Sequence, residues 1–129
     1  MSLGTSETWR RLAAHRDALA GTHLRDLFAR DPGRAERYSQ HVGSLYAGSL
    51  YVDYSKHVIT DETLALLRAL AVERGVEAWR DRMFAGDAIN TTEGRAVLHV
   101  ALRDPRAGGL EVDGRDVRHD VQEVLGRMA

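Results

Sequence analysis

Apolar residues recur at helical spacing along most of this chain, and one stretch, Gln40 to Tyr54, alternates with period two instead. That switch of period restricts the fold to helices gathered around a small hairpin. Ser6 reads as an N-cap with Glu7 in the first turn. Trp9, Leu12, Ala13, Leu19 and Ala20 then share a helical face, and Gly21 stops the run. Thr22 is placed to cap a second helix carrying Leu24, Leu27 and Phe28. Asp31-Pro32-Gly33 ends it, because a residue before proline avoids helical geometry. A further turn of helix fits Arg34 to Tyr38. In the alternating stretch, Leu50, Val52 and Tyr54 take one face, and Ser49, Tyr51 and Asp53 the other. Ala47-Gly48 would turn a hairpin between Val42–Tyr46 and Ser49–Tyr54.

The second half returns to helical spacing. Thr60-Asp61-Glu62 is a capping hydroxyl followed by two acids, the start expected where the helix dipole favours negative charge. Leu64, Leu67, Leu70 and Ala71 form its apolar stripe, and Gly75 ends it. Val76 to Ala85 reads as another helix, with Val76, Trp79 and Met83 facing inward and Gly86 as its stop. Asn90 and Glu93 stand at capping-box spacing before Ala96 to Leu102, a run apolar nearly all round and therefore expected to be a buried helix. Pro105 and Gly108-Gly109 break the chain. Leu110 to Val112 is a short extended piece turned by Asp113-Gly114. Asp116 caps a last helix whose stripe is Val117, Val121, Val124, Leu125 and Met128. The expected fold class is mainly α with a small β-hairpin (α+β). Residues 1–5 are set aside as a leading segment, and 6–129 are read as one unit.

Composition mainly excludes. At 129 residues the chain has the length of a single domain, and 43% hydrophobic with 29% charged residues is an ordinary globular balance. The absence of cysteine removes disulfides, thiolate nucleophiles and zinc-thiolate sites. Eighteen basic residues against 19 acidic ones, a net charge of −1, give no excess of positive charge for nucleic acid. No apolar run approaches the ~20 residues that span a bilayer, and no signal-peptide core follows Met1. No nucleic-acid or membrane partner is expected, and the chain reads as soluble and cytoplasmic.

Individual side chains point to no chemistry by themselves. The histidines fall at 15, 23, 41, 57, 99 and 119, with no pair at metal-ligand spacing. His99, inside the apolar run, reads as a buried core histidine rather than a ligand or a base. Asp113 and Asp116 are accounted for by a turn and a cap, and Arg95 beside Glu93 by an ion pair or a carbonyl clamp. Ser39, Ser44, Ser49 and Ser55 lack a nucleophile-elbow context. The glycines match neither a Walker loop nor a dinucleotide fingerprint. No catalytic, substrate-binding, cofactor-binding or metal-ligating residue is assigned, and no cofactor is expected.

Three stretches in order are far more specific. Val52-Asp53-Tyr54-Ser55-Lys56, Ile59-Thr60-Asp61-Glu62-Thr63-Leu64, and Thr92 through Arg103 (TEGRAVLHVALR) resemble the N-terminal part of the glucose-6-phosphate isomerase family. Leu24-Arg25-Asp26-Leu27-Phe28, Met83 to Asn90 and Val112 to Val117, with Val124 to Met128, are similar to further family segments, so the likeness is collinear from Trp9 to Met128. The resemblance implies an N-terminal helical segment of a two-domain sugar-isomerase α/β enzyme. It implies a sugar-phosphate substrate and a homodimer for the full-length protein. It also implies interconversion of glucose 6-phosphate and fructose 6-phosphate by ring opening and base abstraction through an enediol. The family's phosphate loop and its catalytic Glu, His, Lys and Arg match no position here, so the 129-residue chain alone is expected to be inactive. A self-standing helical protein-interaction module is the alternative, and an open reading frame continuing past Met128 distinguishes the two.

The resemblance carries a physical consequence. Stripes on 96–102 and 50–54 shaped to face further domains leave the isolated chain with larger apolar patches than a monomer usually shows. It is expected to self-associate and bind a hydrophobic dye. Sedimentation of a monodisperse monomer that leaves the dye dark would contradict this.

Overall fold

The computed structural model describes residues 3–45, 48–103 and 109–129. They are mostly helical with two small antiparallel strand pairs, as expected for the fold class. The chain divides into two compact units, Met1–Glu73 and Arg74–Ala129. No helix among the described residues is long and apolar enough to cross a membrane.

In the first unit a 3-10 turn at Leu3–Thr5 leads into α1 (Glu7–Ala18). Ser6 caps α1 as expected, its hydroxyl accepting the Trp9 N–H at 3.1 Å. Helix α2 (Leu24–Arg30) is capped by His23 rather than Thr22. An imidazole Nδ1 accepts the Arg25 N–H at 3.1 Å, an acceptor role usually taken by an oxygen. The turn α3 (Arg34–Arg37) follows the Pro-Gly break. Strands β1 (Ser39–Leu45) and β2 (Gly48–Asp53) then pair antiparallel, with His41 opposite Tyr51 and Val42 opposite Leu50. The register shifts between Val42 and Leu45. Ala47 of the expected turn lies outside the described residues. Leu50 is 59% and Val52 40% exposed, so the hairpin's apolar side is largely uncovered.

Helix α4 (Asp61–Glu73) packs on α1. Its start is a reciprocal box: Thr60 N–H donates to the Thr63 hydroxyl at 2.9 Å, and Thr63 N–H to the Thr60 hydroxyl at 3.4 Å. The buried residues are Thr63 and Leu66, whereas Leu67, expected in the core, is 44% exposed. Thr63 bonds His15 of α1 at 2.8 Å, which turns the Thr63 side of α4 toward α1.

In the second unit α5 (Val76–Ala85) has no buried residue. Val76 and Trp79 face solvent instead of the core, and the Trp79 ring is covered by the Arg82 guanidinium at 4.7 Å. Met83 alone of the expected trio packs on the core of Val100, Ala101 and Leu110. The helix expected to begin at Asn90 does not form until α6 (His99–Arg103). Asn90 N–H donates to the Arg95 carbonyl at 3.1 Å, and the Asn90 carbonyl accepts Gly94 N–H at 2.8 Å. With Gly94 at φ +66° the chain doubles back on itself there instead of spiralling on. His99 consequently opens α6 in solvent and is not a core residue.

Pro105 and Gly108 lie outside the described residues. Beyond them β3 (Glu111–Val112) and β4 (Arg115–Asp116) close on Asp113 (φ 53°) and Gly114 (φ 75°), the two positive φ angles of a type I′ turn. Asp116 caps α7 (Val117–Met128), accepting from Arg118 N–H at 3.0 Å and His119 N–H at 3.4 Å. Val117 and Val121 pack on the core, whereas Val124 and Met128 of the same stripe stay exposed.

Two left-handed glycines separate strain from packing. Gly75 (φ +64°) has open space where a Cβ would go, whereas at Gly86 (φ +84°) it would meet Val112, Leu110 and the Glu111 carbonyl at 3.1–3.3 Å. Gly75→Ala is expected to lose about 1 kcal/mol from backbone strain, and Gly86→Ala about 1–3 kcal/mol more from crowding. Urea unfolding of the two variants checks the order, and equal losses would refute the packing contribution.

Candidate functional site: a buried arginine and its loop

Three consecutive features of the first unit bring its charged groups together. The Pro32-Gly33 break starts α3 at Arg34, and Arg34 N–H donates to the Asp31 carbonyl at 3.1 Å. One helical turn then places Arg34, Arg37 and Tyr38 near the loop joining β2 to α4. Arg34 is 2% exposed. Its Nε donates to the Ser55 carbonyl at 2.9 Å, and one Nη donates to the carbonyls of His57 at 2.8 Å and Ile59 at 3.0 Å. The Tyr38 ring lies 4.5 Å and the Phe28 ring 5.7 Å from the guanidinium carbon. Carbonyl dipoles and ring faces thus replace the water that a buried charge gives up. The planar fork spreads these bonds over two nitrogens, whereas a lysine ammonium presents its three donors from a single point.

The loop is tied at its start by Asp53. One carboxylate oxygen accepts the Ser55 N–H at 2.9 Å and the buried Ser55 hydroxyl at 2.6 Å, and the other accepts the Lys56 ammonium. This is an Asx turn, the local hydrogen-bonded bend that an Asp two residues before its donor favours. The Lys56 bond, then the Ser55 bonds, hold the Asp53 carboxyl well below the usual carboxylate range, and Asp53 in turn raises Lys56. At the far end, Asp61 accepts the Tyr38 hydroxyl at 2.8 Å and an Arg37 nitrogen at 2.5 Å. Those two bonds lower the Asp61 carboxyl. Burial, then the Asp61 bond, raises the Tyr38 phenol. Arg37 also donates to Asp31 at 3.0 Å.

His15 forms a second polar knot. Its Nε2 lies 2.8 Å from the Thr63 hydroxyl and 3.3 Å from that of Thr60, and Nδ1 lies 3.4 Å from a Glu62 carboxylate oxygen. An apolar groove of about 440 Å³ adjoins it, walled by Trp9, Leu12, Leu19 and Val58.

In the loop these bonds hold backbone and the Tyr38 ring in place. A carboxylate kept ionised by Lys56, or by Tyr38 and Arg37, is a weak proton acceptor at neutral pH. Of the sequence-weighed residues, Arg95, His99 and Asp113 line one cleft of the second unit, beside Asp87 and Glu93, and Asp116 does not. Arg95 pairs with Glu93 on the surface, Asp113 turns a hairpin and Asp116 caps a helix. His23 caps α2, the His41 ring leans on Tyr51, and His57 contributes its carbonyl to Arg34. Among the described residues, no group of three or more His, Asp or Glu side chains is arranged to hold a metal ion. Arg34 was not legible as a clamp, because nothing local marks an arginine that will be buried. The Asp-x-Ser spacing of 53–55 does carry the Asx-turn signal.

Residues 53–129, from the Asx-turn aspartate onward, match the phosphoglucose isomerase family model. The chain belongs to that family. It is 56% identical to the glucose-6-phosphate isomerase of Deinococcus deserti, with all of the chain aligned to 23% of that protein. The Deinococcus radiodurans enzyme and the glucose-6-phosphate isomerase 2 of Streptomyces avermitilis are each 57% identical over 94% of the chain and 21% of their own length. The chain therefore spans about a fifth of the length of these curated relatives. Arg34 lies before the family-matched segment, while the carbonyls it holds lie within it.

Two measurements probe the clamp. Arg34→Met leaves three inward-facing carbonyls without their donor and is expected to lose about 3 kcal/mol of stability. Arg37→Met, at a half-exposed ion pair, is expected to lose clearly less than Arg34→Met. Comparable losses in chemical denaturation would contradict the clamp. Acid has a defined sign here. Asp53 and Asp61 have carboxyl pKa values lowered on folding, so their stabilisation is complete above the unfolded value near 4 and fades as pH falls through and below it. Asp53→Asn is expected to be less stable than the parent at pH 7, with the gap closing toward pH 2. A gap independent of pH would exclude the linkage.

Proposed function

We propose that this chain is the N-terminal segment of a glucose-6-phosphate isomerase, a soluble cytoplasmic enzyme that interconverts glucose 6-phosphate and fructose 6-phosphate as a homodimer. The observation that carries the reading is the end-to-end similarity to proteins named glucose-6-phosphate isomerase, at 56% identity with all of the chain aligned in one of them. Residues 6–129 act as scaffold, supplying no catalytic or substrate-binding group, and the reaction needs no cofactor. Support for the scaffold role comes from the charge pairing in the first unit. Asp53 and Asp61, each bonded to donors that keep it ionised, are engaged in holding a loop rather than free to take a proton from carbon. The proton abstraction at C2 of the sugar therefore falls to residues outside the segment.

The test compares the 129-residue chain with the product of the whole reading frame in a coupled assay of glucose 6-phosphate formation from fructose 6-phosphate. Turnover is expected from the long product and none from the short chain. Turnover by the short chain would overturn the scaffold role, and a long product that turns over neither sugar phosphate would overturn the assignment of activity.

A further inference from the structure

We draw no further inference here: the strongest candidate, the apolar groove along α7 and the end of α6 lined by Leu102, Val121, Val124, Leu125 and Met128, carries nothing because nothing in the structure shows what covers it.

Discussion

A guanidinium taken out of water is costly unless acceptors replace the water it gives up, and the first unit is organised around supplying three of them to Arg34. Its three acceptors are main-chain carbonyls spread over Ser55 to Ile59, so one side chain determines the path of the whole loop that leaves β2 and enters α4. The Tyr38 ring beneath the guanidinium is itself held by Asp61, the first residue of α4. Sheet, turn and helix are thereby tied at one point, and a loop that would otherwise be free to wander acquires a single conformation.

The charge arrangement around that point is graded by exposure. Arg34 is buried and faces dipoles, while Arg37 and Lys56 sit near the surface and face carboxylates. Surface pairs of the second kind contribute little each, since water already screens them. Their contribution here is geometric. Asp53 directs the Ser55 carbonyl toward Arg34 by bending the chain through Ser55 N–H and hydroxyl, and Asp61 fixes the Tyr38 ring that Arg34 stacks on. In the second unit Val100, Ala101 and Leu110 form a small apolar cluster. There a Cβ at Gly86 would stand 3.1–3.3 Å from Val112, Leu110 and the Glu111 carbonyl, tighter than ordinary contact.

Much of the local structure could be read from residues in sequence order, and the exceptions come from competing local turns and from distant contacts. Ser6, Asp116 and the Asp113-Gly114 turn do what their chemistry favours because each partner lies within three residues. The helix expected from Asn90 fails because the capping-box pair also suits a closed turn, and Gly94 made the turn cheaper than the helix. On α4 Leu66 rather than Leu67 is buried, and the Thr63 side of the helix is held to α1 by His15, 48 residues away from Thr63 in the chain. Trp79 faces outward, with Arg82 of the same helix over its ring. The acid and base pairs of the loop were legible as a family motif but not as a clamp, since Arg34 joins them from 21 residues upstream.

Sequence alone determined where most elements start and stop, the mainly α class, the kinship of the chain, and the absence of thiol chemistry. These depend on caps, periodicity and residue identity, whose physics acts over a few neighbours. Tertiary structure alone decided which face of each helix is buried, that Arg34 rather than an apolar side chain sits at the centre of the first unit, and that His99 faces water. The place of Arg34 depends on contacts between residues distant along the chain, and that of His99 on a nearby turn that competes with the helix. Such contacts compete through solvation and packing energies that no local pattern encodes.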